Sequence, residues 1–171
     1  MANAYRRYNA RRRLPTNEFI AARDLAMADN LAAFRRALPQ GAKIIVWVAN
    51  GHAPLGGYDV GAPIGQIAKT RYGRDLFTVG FSSAGGQFRW SKDEVREVLL
   101  ASEESLEARI LRARSAAVAT QAQLASMGTI PGAALSWHKR IEANWSRLFD
   151  AIYVLGEELF PVSTNGTELR L

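Results

Sequence analysis

The chain of 171 residues has no cysteine, which excludes disulfides, a thiol nucleophile and thiolate metal sites. It has only two histidines, His52 and His138, so imidazole chemistry has two possible addresses. No apolar run approaches the length of a membrane span, and no apolar h-region follows the N-terminal arginines, so neither a membrane partner nor a secretory signal is expected and the expected location is cytoplasmic. Excess positive charge is also missing over most of the length. Of the 22 basic residues, Arg6, Arg7, Arg11, Arg12 and Arg13 precede the first acid, Glu18, and the remaining 17 face all 16 acids. Five of the six net positive charges therefore belong to residues 1–16, read as a solvated basic tail, and the rest of the chain carries only +1. Tyr5 and Tyr8 interleave with those arginines as in a single-strand-binding arm, but nothing else supports a nucleic-acid partner.

What is present is a hydrophobic content of 48%, enough for one packed domain over residues 17–171. Ile20, Met27, Leu31, Phe34 and Leu38 recur at helical spacing, with Thr16 as a cap and Pro39 to Gly41 as the stop. Lys43 to Ala49 is a β-branched apolar run, the pattern of a strand buried on both faces of a parallel sheet. Gly51 to Gly65 holds five glycines and two prolines and is a loop. Ile64 to Tyr72 can form a short helix ending at Gly73, and Leu76 to Ser82 a second strand, parallel to the first. Ser91 and Glu94 form a capping-box pattern ahead of a helical stripe from Val95 through Leu106 and Ala117 to Leu124. Trp137, Ile141, Trp145 and Leu148 give another helical face, read as core, and Ala151 to Leu155 a third strand. The order indicates an α/β fold with a small, mostly parallel sheet flanked by helices. Three strands and a first helix with no strand before it suggest the rear, C-terminal part of a larger domain.

In open α/β sheets ligands bind outside the carboxyl ends of the strands, which brings Trp47-Val48-Ala49-Asn50-Gly51-His52 forward. An imidazole there can take a proton from water and return it to a leaving alkoxide, as ester hydrolysis requires. Asn50 could add an amide hydrogen bond to substrate, and backbone N–H groups of the glycine loop could serve a developing oxyanion. Read by themselves, Arg23 and Asp24 are an adjacent pair of opposite charges of the kind that usually sits solvated on a helix. His138, with Glu142 one helical turn on, reads as a surface pair.

Four blocks in order, Arg23 to Asn30, Lys43 to His52, Gly80-Phe81 with Gly86 and Phe88, and Phe149-Asp150-Ala151, resemble the erythromycin esterase family. There the helix reads R-D-x-x-M-A-x-N, the next strand ends in W-A-H-N-x-H, and the following one in G-F then G-x-F. The similarity is densest from Arg23 to Trp90 and returns at Phe149 to Glu158. The resemblance implies metal-independent, cofactor-free hydrolysis of an ester or lactone, such as the macrolide ring, by water that histidine and glutamate side chains activate. It makes His52 the second histidine of the motif, a catalytic residue, and Asn50 a substrate-binding residue. Ala49 stands where the motif has its first histidine, and an N-terminal half with a further histidine and acids has no counterpart in this chain. The expectation is a partial domain of little or no activity alone, with self-association or a complementary N-terminal half as partner. The alternatives are a non-catalytic ligand-binding module of the same family and a nucleic-acid binder acting through the tail.

Overall fold

A computed structural model describes residues 16–56, 61–91, 94–135 and 138–158. The basic segment 1–15, Trp137 and the residues after Glu158 lie outside the described residues. The chain divides into two units, the first holding residues up to Thr78 with Arg147–Phe149, the second Val79–Ser146 with the residues from Asp150.

In the first unit, α1 runs Thr16–Ala37 and α2 Ile64–Tyr72, as their apolar spacing predicts. The buried face of α1 carries Asp24 and Ala28, one turn apart, while Phe34 of the expected stripe is exposed. Gly73 ends α2 at φ 55, a left-handed value that favours glycine at a helix terminus. Between the helices, Lys43 to Ala49 is not a strand. No strand pairs with it among the described residues, and Ile45 is 92% and Trp47 82% exposed. An apolar β-branched run forms a strand only where another strand accepts its backbone bonds, so the expected β-loop-α-β unit is not built here.

The second unit centres on a mixed sheet in the order β1 (Val79–Ser83), β7 (Ala151–Leu155), β4 (Ala116–Thr120). β1 and β7 are parallel, Phe81 opposite Tyr153, and β4 is antiparallel to β7, Val118 opposite Tyr153. Ile152, Val154 and Ala119 point to the buried face, which packs against α3 (Leu106–Leu111) with Leu106, Ile110 and Leu111. The α/β class holds, with one parallel and one antiparallel pair.

The long helical stripe expected after Ser91 is broken up. Gln87–Ser91 (β2) and Glu94–Glu97 (β3) form an antiparallel hairpin, then come α3, β4 and α4 (Gln121–Met127). The capping box lies not at Ser91 but at Thr120 and Gln123, where both reciprocal bonds of α4 are made. Thr129–Gly132 (β5) and Ile141–Asn144 (β6) form a second hairpin where a helix was expected. Trp145 is core as expected, 1% exposed, and its indole N–H donates to the Ile130 carbonyl at 2.9 Å. Gly132 lies against its ring, where a Cβ would come within 2.8 Å.

Candidate active site

The site is assembled in the first unit from three segments. α1 presents Arg23 and Asp24. The Asp24 side chain is 2% exposed, so its carboxylate must find donors inside the protein. The first backbone N–H of α2, at Ile64, donates to Oδ1 at 3.0 Å, and the positive end of that helix favours the negative charge. A single 3-10 turn, Asn50–His52, supplies the third member: Nδ1 of His52 lies 2.8 Å from Oδ1 and 3.1 Å from Oδ2 of Asp24.

The other ring nitrogen is also engaged. Nη2 of Arg23 lies 2.6 Å from Nε2 of His52. A guanidinium can only donate, so Nε2 accepts, and an ionised carboxylate can only accept, so Nδ1 carries the hydrogen. The pattern is that of a neutral imidazole whose Nε2 lone pair, the basic position, is held by Arg23. Nε of that arginine is buried with no partner among the described residues.

Local backbone fixes this geometry. The N–H of His52 donates to the Ala49 carbonyl at 2.9 Å and that of Ala53 to the Asn50 carbonyl at 3.1 Å, closing the turn. Behind it Gly65 lets α2 touch the loop, since a Cβ there would lie 1.9 Å from the Ala53 oxygen. Asn50 opens the turn and is half-buried, while Ala49 precedes it and is exposed.

His52 thus lies between two charged side chains, and a turn and a helix N-terminus position it rather than the end of a strand. Arg23 and Asp24, read as a solvated pair, are instead its two partners. The family motif was the only signal for them, because their contacts reach 29 and 28 residues along the chain.

His138 is not on a helix and does not meet Glu142. It sits at φ 51 in the second unit, its Nε2 3.5 Å from Oε2 of Glu158 and its ring 4.5 Å from that of Phe88. Glu158 also accepts from the Ser83 hydroxyl at 2.8 Å. Among the described residues no cluster of three or more His, Asp or Glu side chains could hold a metal ion. No helix among them is long and apolar enough to cross a membrane.

The erythromycin esterase family model matches residues 1–157. The chain belongs to that family. Three solved structures share its fold: a succinoglycan biosynthesis protein (16% identity, TM-score 0.69), a Bacillus cereus protein (17%, 0.67) and a mutant erythromycin esterase, EreC, in its open conformation (20%, 0.59). They cover 92%, 84% and 81% of this chain, whereas the chain spans 49%, 40% and 38% of theirs. A comparison with curated proteins finds no match.

Proposed function

We propose that this erythromycin esterase family chain carries the histidine side of an ester-hydrolysing site, with His52 as general base, Asp24 as its orienting partner and Arg23 as the electrophilic anchor. The observation that carries the reading is the part-buried Asp24–His52–Arg23 chain of hydrogen bonds. Once Arg23 has swung off Nε2 and freed its one lone pair, Nε2 of His52 takes a proton from water as the water oxygen bonds to the ester carbonyl carbon. Asp24 stabilises the imidazolium that forms, as the carboxylate of a catalytic triad does. The carbonyl oxygen becomes an oxyanion. Arg23, already displaced from Nε2 by the attacking water, has Nη2 to offer it. Collapse breaks the carbon–oxygen ester bond, and the proton on Nε2 passes to the leaving alkoxide, giving acid and alcohol. Asn50 is on the same turn, and we assign it to substrate binding.

The solved relatives have about as much chain again or more, and that portion is the partner we propose hydrolysis requires. Ala49 supports a second reading, a family member that keeps the pocket wall without the chemistry, because a methyl group can neither accept nor donate a proton. The test compares hydrolysis of p-nitrophenyl acetate and of a macrolide lactone by the chain, by His52→Ala, and by the chain with Ala49→His supplied with the N-terminal half of a relative. The chain alone should not exceed His52→Ala. The complemented protein should hydrolyse ester and lose that activity, by about 10² to 10⁴-fold, on His52→Ala. Complemented activity that survives His52→Ala removes the base from this assignment, and a folded complement without activity favours the non-catalytic reading.

A further inference from the structure

The far end of the α1–α2 pair holds a second arrangement that the ester-hydrolysing site does not use. Contacts between the helices run forward along both, from Asp24 with Ile64 to Asp29 with Arg71 and Arg35 with Tyr72, so both helices end together. Between their last turns lies a cavity of about 620 Å³ lined by Asp29, Ala32, Arg35, Arg36, Arg71 and Tyr72. The rise along α1 puts it roughly 17 Å from Asp24.

Basic residues at helix C-termini offset the carbonyl ends of the dipoles, and that accounts for arginine at these positions. It does not account for how they are held. Arg35 lies over the Tyr72 ring, its guanidinium carbon 4.6 Å from the centroid. A guanidinium held over a ring face keeps its N–H groups available for hydrogen bonds in its own plane. Its carboxylate contact, Asp75 at 3.4 Å, is 73% exposed and weak. Arg36 pairs with no carboxylate among the described residues, and Arg71 meets Asp29 at 2.8 Å. Three guanidinium groups against one carboxylate leave the lining at +2, which exceeds the roughly one negative charge that two carbonyl ends contribute.

We propose that this cavity is a phosphate-binding site, taking the dianionic phosphoryl group of a small phosphorylated molecule or free inorganic phosphate on Arg35, Arg36 and Arg71. A phosphomonoester carries about −1.5 to −2 at neutral pH, opposite in sign to a lining that stays near +1 once the carbonyl ends are counted, and guanidinium forks bind phosphoryl oxygens in pairs. Isothermal titration of the full chain with inorganic phosphate, phenyl phosphate and a single-stranded oligonucleotide tests it, with chloride at matched ionic strength as control. Saturable binding of at least one of the first two is expected. It should weaken about tenfold or more in Arg36→Gln and in Arg71→Gln, as loss of a hydrogen bond to a charged group implies. His52→Ala should leave it unchanged, so its outcome is independent of the esterase reading. Phosphate preferred over the phenyl ester identifies the free ion as ligand, and the reverse a phosphorylated metabolite. Equal binding by wild type and both arginine variants of unchanged melting temperature overturns the proposal. So does heat that chloride reproduces, or an oligonucleotide that binds more tightly than either phosphate.

Discussion

Asp24 determines which nitrogen of His52 is basic, because its carboxylate can only accept and so fixes the hydrogen on Nδ1. Asp24→Asn replaces that acceptor with an amide that can donate to Nδ1, which moves the hydrogen to Nε2, directly against the Arg23 donor. The expected outcome is a change of tautomer in the long-range ¹H–¹⁵N spectrum of His52. In the complemented enzyme, hydrolysis should fall by roughly 10² to 10⁴-fold. An unchanged tautomer would mean that the carboxylate is not the orienting group. The sequence singled out His52 through the family motif and a position in a glycine-rich loop, and the structure gives that histidine two charged partners. The roles of Arg23 and Asp24 were not legible in charge pattern alone. Adjacent opposite charges look the same on a wet surface and at a buried site, and only the approach of a turn 28 residues away decides between them. Glu107 gave no signal at all: it sits on α3 at 1% exposure, accepting from the Ser82 hydroxyl at 2.7 Å and the Ala133 N–H at 2.8 Å. Glu107→Ala leaves both donors unsatisfied and should lower unfolding free energy by about 2–5 kcal/mol in urea titrations, whereas Glu107→Gln keeps an acceptor and should lose less than half of that.

Among the elements, α1, α2 and β7 were legible because each carries its own determinants: apolar spacing with a terminator in the helices, and a short β-branched run between breakers in the strand. Lys43 to Ala49 shows the limit of such patterns. Its composition says strand, but pairing is a non-local condition and no partner is present among the described residues. The stretch from Ser91 to Leu124 fails in the opposite way. Alanine-rich and charged, it satisfies a helical period across several breaks, while the αL residues Arg112 and Ala113, at φ 44 and 66, reverse the chain ahead of β4. Non-glycine residues seldom adopt that conformation, so the sequence could not announce it. Gly65, by contrast, is required by a visible contact. Gly65→Ala would drive a methyl into the Ala53 and Pro54 carbonyls, and the loop that carries His52 would have to move. A loss of about 1–3 kcal/mol in stability is expected, with altered His52 resonances reporting the displaced turn. A variant with wild-type melting and an unshifted His52 would show that α2 does not brace the site.

At the scale of the whole molecule, the sheet of the second unit has one covered face and one open face. α3 packs under Ile152, Val154 and Ala119, but on the other side Phe81 is 43%, Val118 54% and Leu155 37% exposed, with Tyr153 between Phe81 and Val118. Sheets with parallel strands are ordinarily covered on both faces, so association through this apolar row is the expectation to test. Its strength can be bounded. Each of these side chains is partly buried already, and covering what remains stabilises by roughly 0.5–1 kcal/mol apiece, about 2–4 kcal/mol for the row. Before any orientational cost, that corresponds to a dissociation constant of about 1 mM or weaker, a transient contact rather than a stable dimer. The chain alone should therefore show translational diffusion, measured by pulsed-gradient NMR, that slows as concentration approaches about 1 mM. Phe81→Ser with Val118→Ser should abolish the slowing while the chain stays folded at a modest cost in stability, because both side chains are only about half buried. Concentration-independent diffusion of the wild-type chain over that range would show the open face to be inert, and slowing that persists in the double variant would place the contact elsewhere. A micromolar dimer would exceed what this row can supply and would require a further surface, for which exposed Ile45 and Trp47 are the next residues to substitute.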